Sequence, residues 1–494
     1  MRRAVDAVPN VVLYNLRDAA GESQQDVADA LNDLAAQRAK PVSVTANQIS
    51  RWERGVVHPS SYYRQLLAKH FNVSVQELGL TRPRVTAAAV AADEREVFGI
   101  PAAAPEAPVD EWIRRSQTDW QAVRGSLNRN RVPLAKAAAR LYPAFVRLGE
   151  TGMLAPPPWL PARPIELSAI RLVRDERVEE PLITGTEEES AQVRPLLTAD
   201  VRHQRYSQAV RDIDHPRLFE NRLSWRMLDL AWTGDGAGEM RFGTTTYFSS
   251  FDISEAVAHE MAMTHVCPDG AVEQPTWRGL KLRKLIGGPF DPQRRPLLPS
   301  IDTLTIRRDR DGACFVLHDR NASNVAVAGG MLHIMPAGVF QPASILPAAM
   351  DTDCDLWRNI MREYSEEFLG NPEHDGNGSP VDYTTEPFAS MDRARQDGRA
   401  RVYCLGVGLD ALTLWTEVLT VAVFDANSYD EVFADMVGVN NKGRVIKAGT
   451  AHPTPLIPFT EQVIRELMGG GRLAPAAAGC LQLAWEHRRT ILGD

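Results

Sequence analysis

At 494 residues the chain exceeds what one ordinary hydrophobic core organises, so two or three domains are expected. Apolar residues at 44% and charged residues at 24% make a globular composition; no stretch is long and apolar enough to cross a bilayer, and MRRAVDAVPN lacks the apolar core of a secretory signal. The net charge of −8 is unevenly spread: residues 1–84 carry 11 basic against 8 acidic side chains, so a mildly basic head can approach a phosphate backbone while an acidic body cannot.

In chain order, residues 1–80 make up the head, of which residues 10–80 read as consecutive short helices. Residues 81–164 begin as an Ala/Pro-rich linker, AAAVAADEREVFGIPAAAPEAP, and continue as an arginine-rich helical connector that Pro133 divides in two. Residues 165–290 mix strand-like runs (PIELSAIRLV, NRLSWRMLDLAW, EMRFGTTTYFSSF) with a helix, SEAVAHEMAMTHV, that Ser254 would cap. In the last of these, His259 and His265 stand six apart, the wrong spacing for one metal-binding helix face, and are expected on the helix surface. Residues 291–494 hold a hairpin signal around Asp311-Gly312, an acidic helix within DLWRNIMREYSEEFLG, two long strand runs, and a helical tail. The five cysteines are dispersed without a CxxC pair, which points to reduced thiols and a cytoplasmic protein rather than to a zinc cluster.

In the head, Ser23 can cap a helix with Val27, Ala28 and Leu31 at helical spacing, and Thr45 can cap a second one that Gly55 stops. That second helix buries Ile49 and Trp52 and turns Ala46, Asn47, Gln48 and Arg51 outward. Amide side chains pair with adenine edges and guanidinium with guanine, so this face suits a major groove. On Arg17, SQQDVADAL, VTANQISRWERG and FNVSVQELG, the head resembles the Cro/C1 (XRE-type) helix-turn-helix regulators. The resemblance implies an all-α DNA-binding head in which Gln24 holds a phosphate and Ala46, Asn47 and Arg51 face bases; Thr45 and Gln48, at the start of the same helix, complete the expected DNA-binding set. It also implies a buried Arg17–Glu53 pair. The turn NDLAAQRAKPVS is about ten residues longer than ordinary turn lengths allow for this motif.

In the body, Glu363, Glu366 and Glu367 project within a narrow arc of one helix, while Leu356, Trp357, Ile360, Met361, Tyr364 and Phe368 take core-facing positions. Neighbouring carboxylates repel, and a divalent cation shared with phosphate oxygens relieves that repulsion. MPAG on a strand followed by REYSEE resembles the box of the Nudix family, in a degenerate form. The resemblance implies an α+β body with a mixed sheet between helices. It also implies Mg²⁺ on Glu363, Glu366, Glu367 and the Gly338 carbonyl, with Glu366 and Glu367 catalytic and Arg362 orienting the glutamates. The departures are a longer, apolar loop (VFQPASILPAAMDTDCDLWRNIM) and a glycine, Gly370, one position late.

The expected fold is therefore multidomain, an all-α helix-turn-helix head on a Nudix-like α+β body. The expected function is transcription regulation, in which a homodimer binds double-stranded DNA and its body senses a nucleotide-type small molecule. The alternative is a Mg²⁺-dependent hydrolase of nucleoside diphosphates linked to another moiety, carrying a DNA-binding head.

Overall fold

The computed structural model describes residues 10–37, 44–53, 59–71, 73, 78, 111–176, 178–216, 219–320, 331–373, 380–436, 443–445 and 456–493. The chain forms two compact units, Met1–Ala107 and Pro108–Asp494. The expected linker, and the stop at Gly55, lie outside the described residues.

Among its described residues the first unit has four helices: α1 (Val11–Ala19), α2 (Gln24–Gln37), α3 (Ala46–Glu53) and α4 (Ser61–His70). Ser23 and Asp26 cap α2 reciprocally, with Ser23 N donating to Asp26 Oδ2 at 2.7 Å and Asp26 N to Ser23 Oγ at 3.2 Å. Val27, Ala28 and Leu31 are fully buried against Leu13, Ile49, Trp52, Leu66 and Leu67. The pair expected between Arg17 and Glu53 is present at 2.5 Å and ties α1 to α3. Asn32 anchors Val44, two residues before α3: Val44 N donates to Asn32 Oδ1 at 2.7 Å, and Asn32 Nδ2 donates to Val44 O at 3.0 Å. The start of α3 is thus fixed to α2 by side-chain bonds on the near side of the long turn.

The second unit is α+β, and its central sheet is mixed. For the strands that position the site, β1 is Ile170–Arg174, β2 Leu223–Trp232, β3 Gly238–Thr246, β4 Pro299–Arg308, β5 Ala313–Phe315, β6 Ala337–Val339, β7 Ala400–Asp410 and β8 Thr416–Asp425. The central sheet runs β7–β8–β4–β5, with β4 and β8 parallel and the other pairs antiparallel; β6 also pairs β4, setting Gly338 opposite Ile301. β4 turns into β5 through Asp309–Gly312, the hairpin expected around Asp311-Gly312.

LTLWTEVLTVAVFD reads as nearly continuous apolar sequence because β8 is covered on both faces. Val418, Ala422 and Phe424 pack toward one helix, α8 (Leu356–Glu367). Leu419, Val421 and Val423 pack toward another, α9 (Pro475–Glu486), whose Ala477, Ala478 and Ala484 allow close approach. Asp355 caps α8, accepting from Arg358 N at 2.9 Å, and Leu356, Trp357, Ile360, Met361, Tyr364 and Phe368 are all buried in the core.

The arginine-rich helices α5 (Glu111–Arg129) and α6 (Arg131–Ala139), read from the sequence as a connector, belong to the second unit and bury Trp120, Leu127 and Leu134 in it. They pack on α7 (Tyr247–His265), in which 15 of 19 residues are buried, so no polar stripe marks its solvent side. This overturns two expectations. Ser254 lies inside the helix, which starts at Tyr247 after Thr246, because Tyr247, Phe248 and Phe251 pack with Phe219 in an aromatic cluster instead of extending β3. His259 and His265 are buried rather than on the surface. Strands β1, β2 and β3 form a separate sheet whose Trp225, Met240 and Phe242 share the core of α8. Among the described residues, no helix is long and apolar enough to cross a membrane.

Candidate functional site

A cavity of about 300 Å³ opens at the end of the central sheet where β4 and β8 begin. Its floor carries Ser300 and Asp302 from β4, Gly338 from β6 and Glu417 from β8. One wall is α8. Positions i, i+4 and i+7 of that helix, Asn359, Glu363 and Glu366, face the cavity as a single stripe. Phe219, Tyr247 and Trp415, from outside the acidic-helix region, also line the cavity, as does the uncapped start of α9, Ala474–Ala476.

Gly338 allows the Glu363 carboxylate its close approach: a Cβ there would overlap that carboxylate, which would have to move. Glu363 and Gly338, brought together from the sequence by a loop of unusual length, are therefore in contact distance. Arg362 also lines the cavity, but its bonds run to the loop and not to the glutamates as the family resemblance implies. Its Nη2 donates to Gln341 O at 2.6 Å and to Asn359 Oδ1 at 2.9 Å; its Nη1 donates to the Tyr383 hydroxyl at 2.5 Å, and Asp353 lies at 3.4 Å. Asp353 in turn accepts from Ala343 N at 2.8 Å and from Tyr383 Oη at 2.7 Å. The long apolar loop is thus stapled to α8 by Arg362. Burial first, and Asp353 with it, raise the Tyr383 hydroxyl to well above its ordinary value, which keeps it a neutral donor.

Glu367 behaves differently from the two glutamates it was grouped with. It does not line the cavity, is 1% exposed, and accepts from Ala337 N at 3.1 Å, holding β6 to the helix. The physical reason is helical phase: Glu367 lies 100° round from Glu366 and falls on the side that packs on β6. Among the described residues, no three His, Cys, Asp or Glu side chains converge closely enough to hold a metal ion by themselves.

The lining is acidic, with eight carboxylates and three guanidinium groups. Several are matched within the protein. Glu255 accepts from Arg131 Nη1 at 3.0 Å and Nη2 at 2.8 Å and from Arg124 Nη1 at 3.1 Å. Burial alone would raise the Glu255 carboxyl, but the two guanidiniums hold it below the usual range. Arg222 bridges Glu373 at 3.0 Å and Glu220 at 3.1 Å at the edge of the cavity. Burial raises the Asp410 carboxyl, opposed by the N–H groups of Leu412 and Thr413. Glu363 and Glu366 stand on the wall with Asp302 and Glu417 across the floor.

In the first unit, α3 buries Ile49, Trp52 and Glu53 and exposes Asn47 and Arg51, with Ala46 half-buried. Three side chains expected to meet DNA have bonds inside the protein. Thr45 and Gln48 cap α3 reciprocally, Thr45 N donating to Gln48 Oε1 at 2.9 Å and Gln48 N to Thr45 Oγ1 at 3.4 Å. Gln24 Nε2 donates to Glu53 Oε2 at 2.7 Å, joining the Arg17–Glu53 pair.

Sequence reasoning missed Asn359, Asp302, Glu417 and the aromatic wall. Asn359 carried a legible signal, being one turn before Glu363 on the same face; the others reach the cavity from distant strands and helices that only the fold brings together. Comparison with family models finds no match to this chain, and comparison with curated proteins finds none.

Proposed function

We propose that the chain is a DNA-binding transcription regulator whose body takes a nucleotide-type small molecule together with Mg²⁺, in a Nudix-like site that binds rather than cleaves. The observation that carries this reading is the division of the acidic helix: Glu363 and Glu366 face a cavity of about 300 Å³ beside Gly338, while Glu367 is buried against Ala337 N. That volume is at the lower end of small-molecule sites. Mg²⁺ keeps several waters and is commonly held by one or two carboxylates plus the phosphates of its ligand. Two cavity-facing glutamates fit such a shared cation, which arrives with the phosphates and does not need a preformed cage. The start of α9 and the aromatic residues Phe219, Tyr247 and Trp415 line the same cavity, where a helix N-terminus favours an anion and aromatic side chains suit a planar group. With Glu367 and Arg362 both engaged in holding the loop and β6, a hydrolytic arrangement of three glutamates is incomplete, which favours sensing over the hydrolase reading.

The head fits the other half of the proposal. α3 presents Asn47 and Arg51 on its exposed face over a buried rear, the side chains that read adenine and guanine edges. Thr45, Gln48 and Gln24 then support this face by capping and bracing it. One short recognition helix reads few bases, so two copies on paired half-sites are expected.

The test is thermal unfolding of the full chain with Mg²⁺ and a panel of nucleotides and nucleoside-diphosphate sugars, with product analysis of the same samples. A rise in Tm that needs Mg²⁺, with the ligand recovered intact, is the expected result. Release of nucleoside monophosphate would replace this reading by the hydrolase one, and no rise with any member of the panel would remove the site from both.

A further inference from the structure

We infer that Asn359 reads the ligand, its side-chain amide donating to an uncharged acceptor atom, a carbonyl oxygen or ring nitrogen, of the molecule in the cavity. The inference rests on the proposal that the cavity takes a nucleotide-type ligand, and adds the residue that distinguishes one such ligand from another. Asn359 is 1% exposed and lines the cavity. Its orientation is fixed by two donors: Arg362 Nη2 at 2.9 Å and Gln341 N at 3.4 Å both address Oδ1. An amide flipped the other way would set its NH₂ group against an N–H and a guanidinium, so the oxygen must occupy that side. Nδ2 is left with no hydrogen-bond partner among the described residues. A buried donor without an acceptor carries a desolvation penalty, which a ligand atom would relieve.

The neighbourhood selects the kind of acceptor. Asn359 stands one helical turn, about 5–6 Å, before Glu363 on the cavity-facing stripe. A phosphate oxygen this near to Glu363 and Glu366 requires the cation to offset repulsion, and a neutral amide supplies no charge. An uncharged acceptor meets no such opposition. The ligand would therefore lie along α8 with its cation-bridged phosphates at Glu363 and Glu366 and its neutral acceptor one turn away at Asn359. The loop residue Gln341 and the staple residue Arg362 hold the amide in place, acting as positioning residues.

The test is titration calorimetry of the full chain with Mg²⁺ and UDP-glucose, GDP-mannose and ADP-ribose, for the wild type, Asn359→Asp and Asn359→Ser. Asn359→Asp keeps an oxygen for Gln341 N and Arg362 and so keeps the fold, but puts an acceptor where the donor was. Asn359→Ser removes the amide without adding charge, which separates loss of the donor from electrostatic repulsion. Both variants should bind roughly ten- to a hundredfold more weakly than the wild type, with thermal unfolding of Asn359→Asp close to wild type. Wild-type affinity in both variants would overturn the role of Asn359 and leave the cavity's function standing. Failure of the wild type to bind any of the three would overturn both.

Discussion

Replacing His259 by glutamine should remove a pH dependence of stability that the wild-type body carries between about pH 7 and about pH 4. The imidazole is 2% exposed, stacked on Trp120 at 5.6 Å between ring centroids, and its Nδ1 lies 3.0 Å from the Tyr206 hydroxyl. Burial, and then the nearby Arg124 guanidinium, push its pKa down to about 3, with Glu255 opposing. An unfolded histidine titrates near 6.5. Below that value the unfolded chain binds a proton that the folded one refuses until about pH 3, so stability is fully present above pH 6.5 and is lost as pH falls. Each pH unit in that window costs about 1.4 kcal/mol, so acidifying from about pH 7.5 to about pH 5 should cost about 2 kcal/mol through this residue alone. Urea unfolding followed by tryptophan fluorescence at the two pH values gives the loss for each protein. The wild type should lose about 2 kcal/mol more than His259→Gln. Equal losses would refute the reasoning, and would mean that the imidazole is protonated or exposed in the folded state.

Glu367→Ala and Glu363→Gln should separate structure from binding. The first leaves the buried Ala337 N–H without its acceptor and should cost about 1–3 kcal/mol of stability in urea unfolding, with or without ligand. The second should leave stability within about 0.5 kcal/mol and abolish most of the Mg²⁺-dependent rise in Tm. Gly338→Ala should act like Glu363→Gln, because the added methyl displaces the Glu363 carboxylate, and calorimetry should register about a tenfold loss of ligand affinity. Arg51→Ala should cost about 1–3 kcal/mol of binding to a selected DNA site and relax preference at one base position, read by competition with single-base variants of that site.

Much of the fold was legible where burial is simple. β8 reads as continuous apolar sequence because both faces are covered, and α8 shows its core stripe because one face is not. α7 was legible only in part: buried all round and carrying Glu255, His259 and Glu260 inward, it offers no period to read, and its aromatic start mimics a strand. At the site, Glu363, Glu366 and Gly338 were visible as a pattern and do share the cavity. Glu367 was grouped with them by spacing alone, and one residue of helical phase carries it to β6 instead. Asp302, Glu417 and Tyr247 could not be found locally, since each reaches the cavity only through sheet pairing or packing across a long sequence separation. In the head, Gln48 looked outward by helical phase, but phase does not reveal that its side chain bonds back to Thr45 N.

The regulator proposal makes ligand and DNA linked occupants of one chain. The measurement that addresses this directly is the affinity of the full chain for a DNA fragment selected from a random pool, with Mg²⁺, in the absence and presence of a saturating nucleoside-diphosphate sugar that raises its Tm. A change of roughly fivefold or more, reproduced as an equal change in ligand affinity when the DNA is saturating, is the expected result, because coupling between two sites is reciprocal. Sequence-selective DNA binding with the same affinity in both conditions, alongside a ligand that binds the chain, would contradict it.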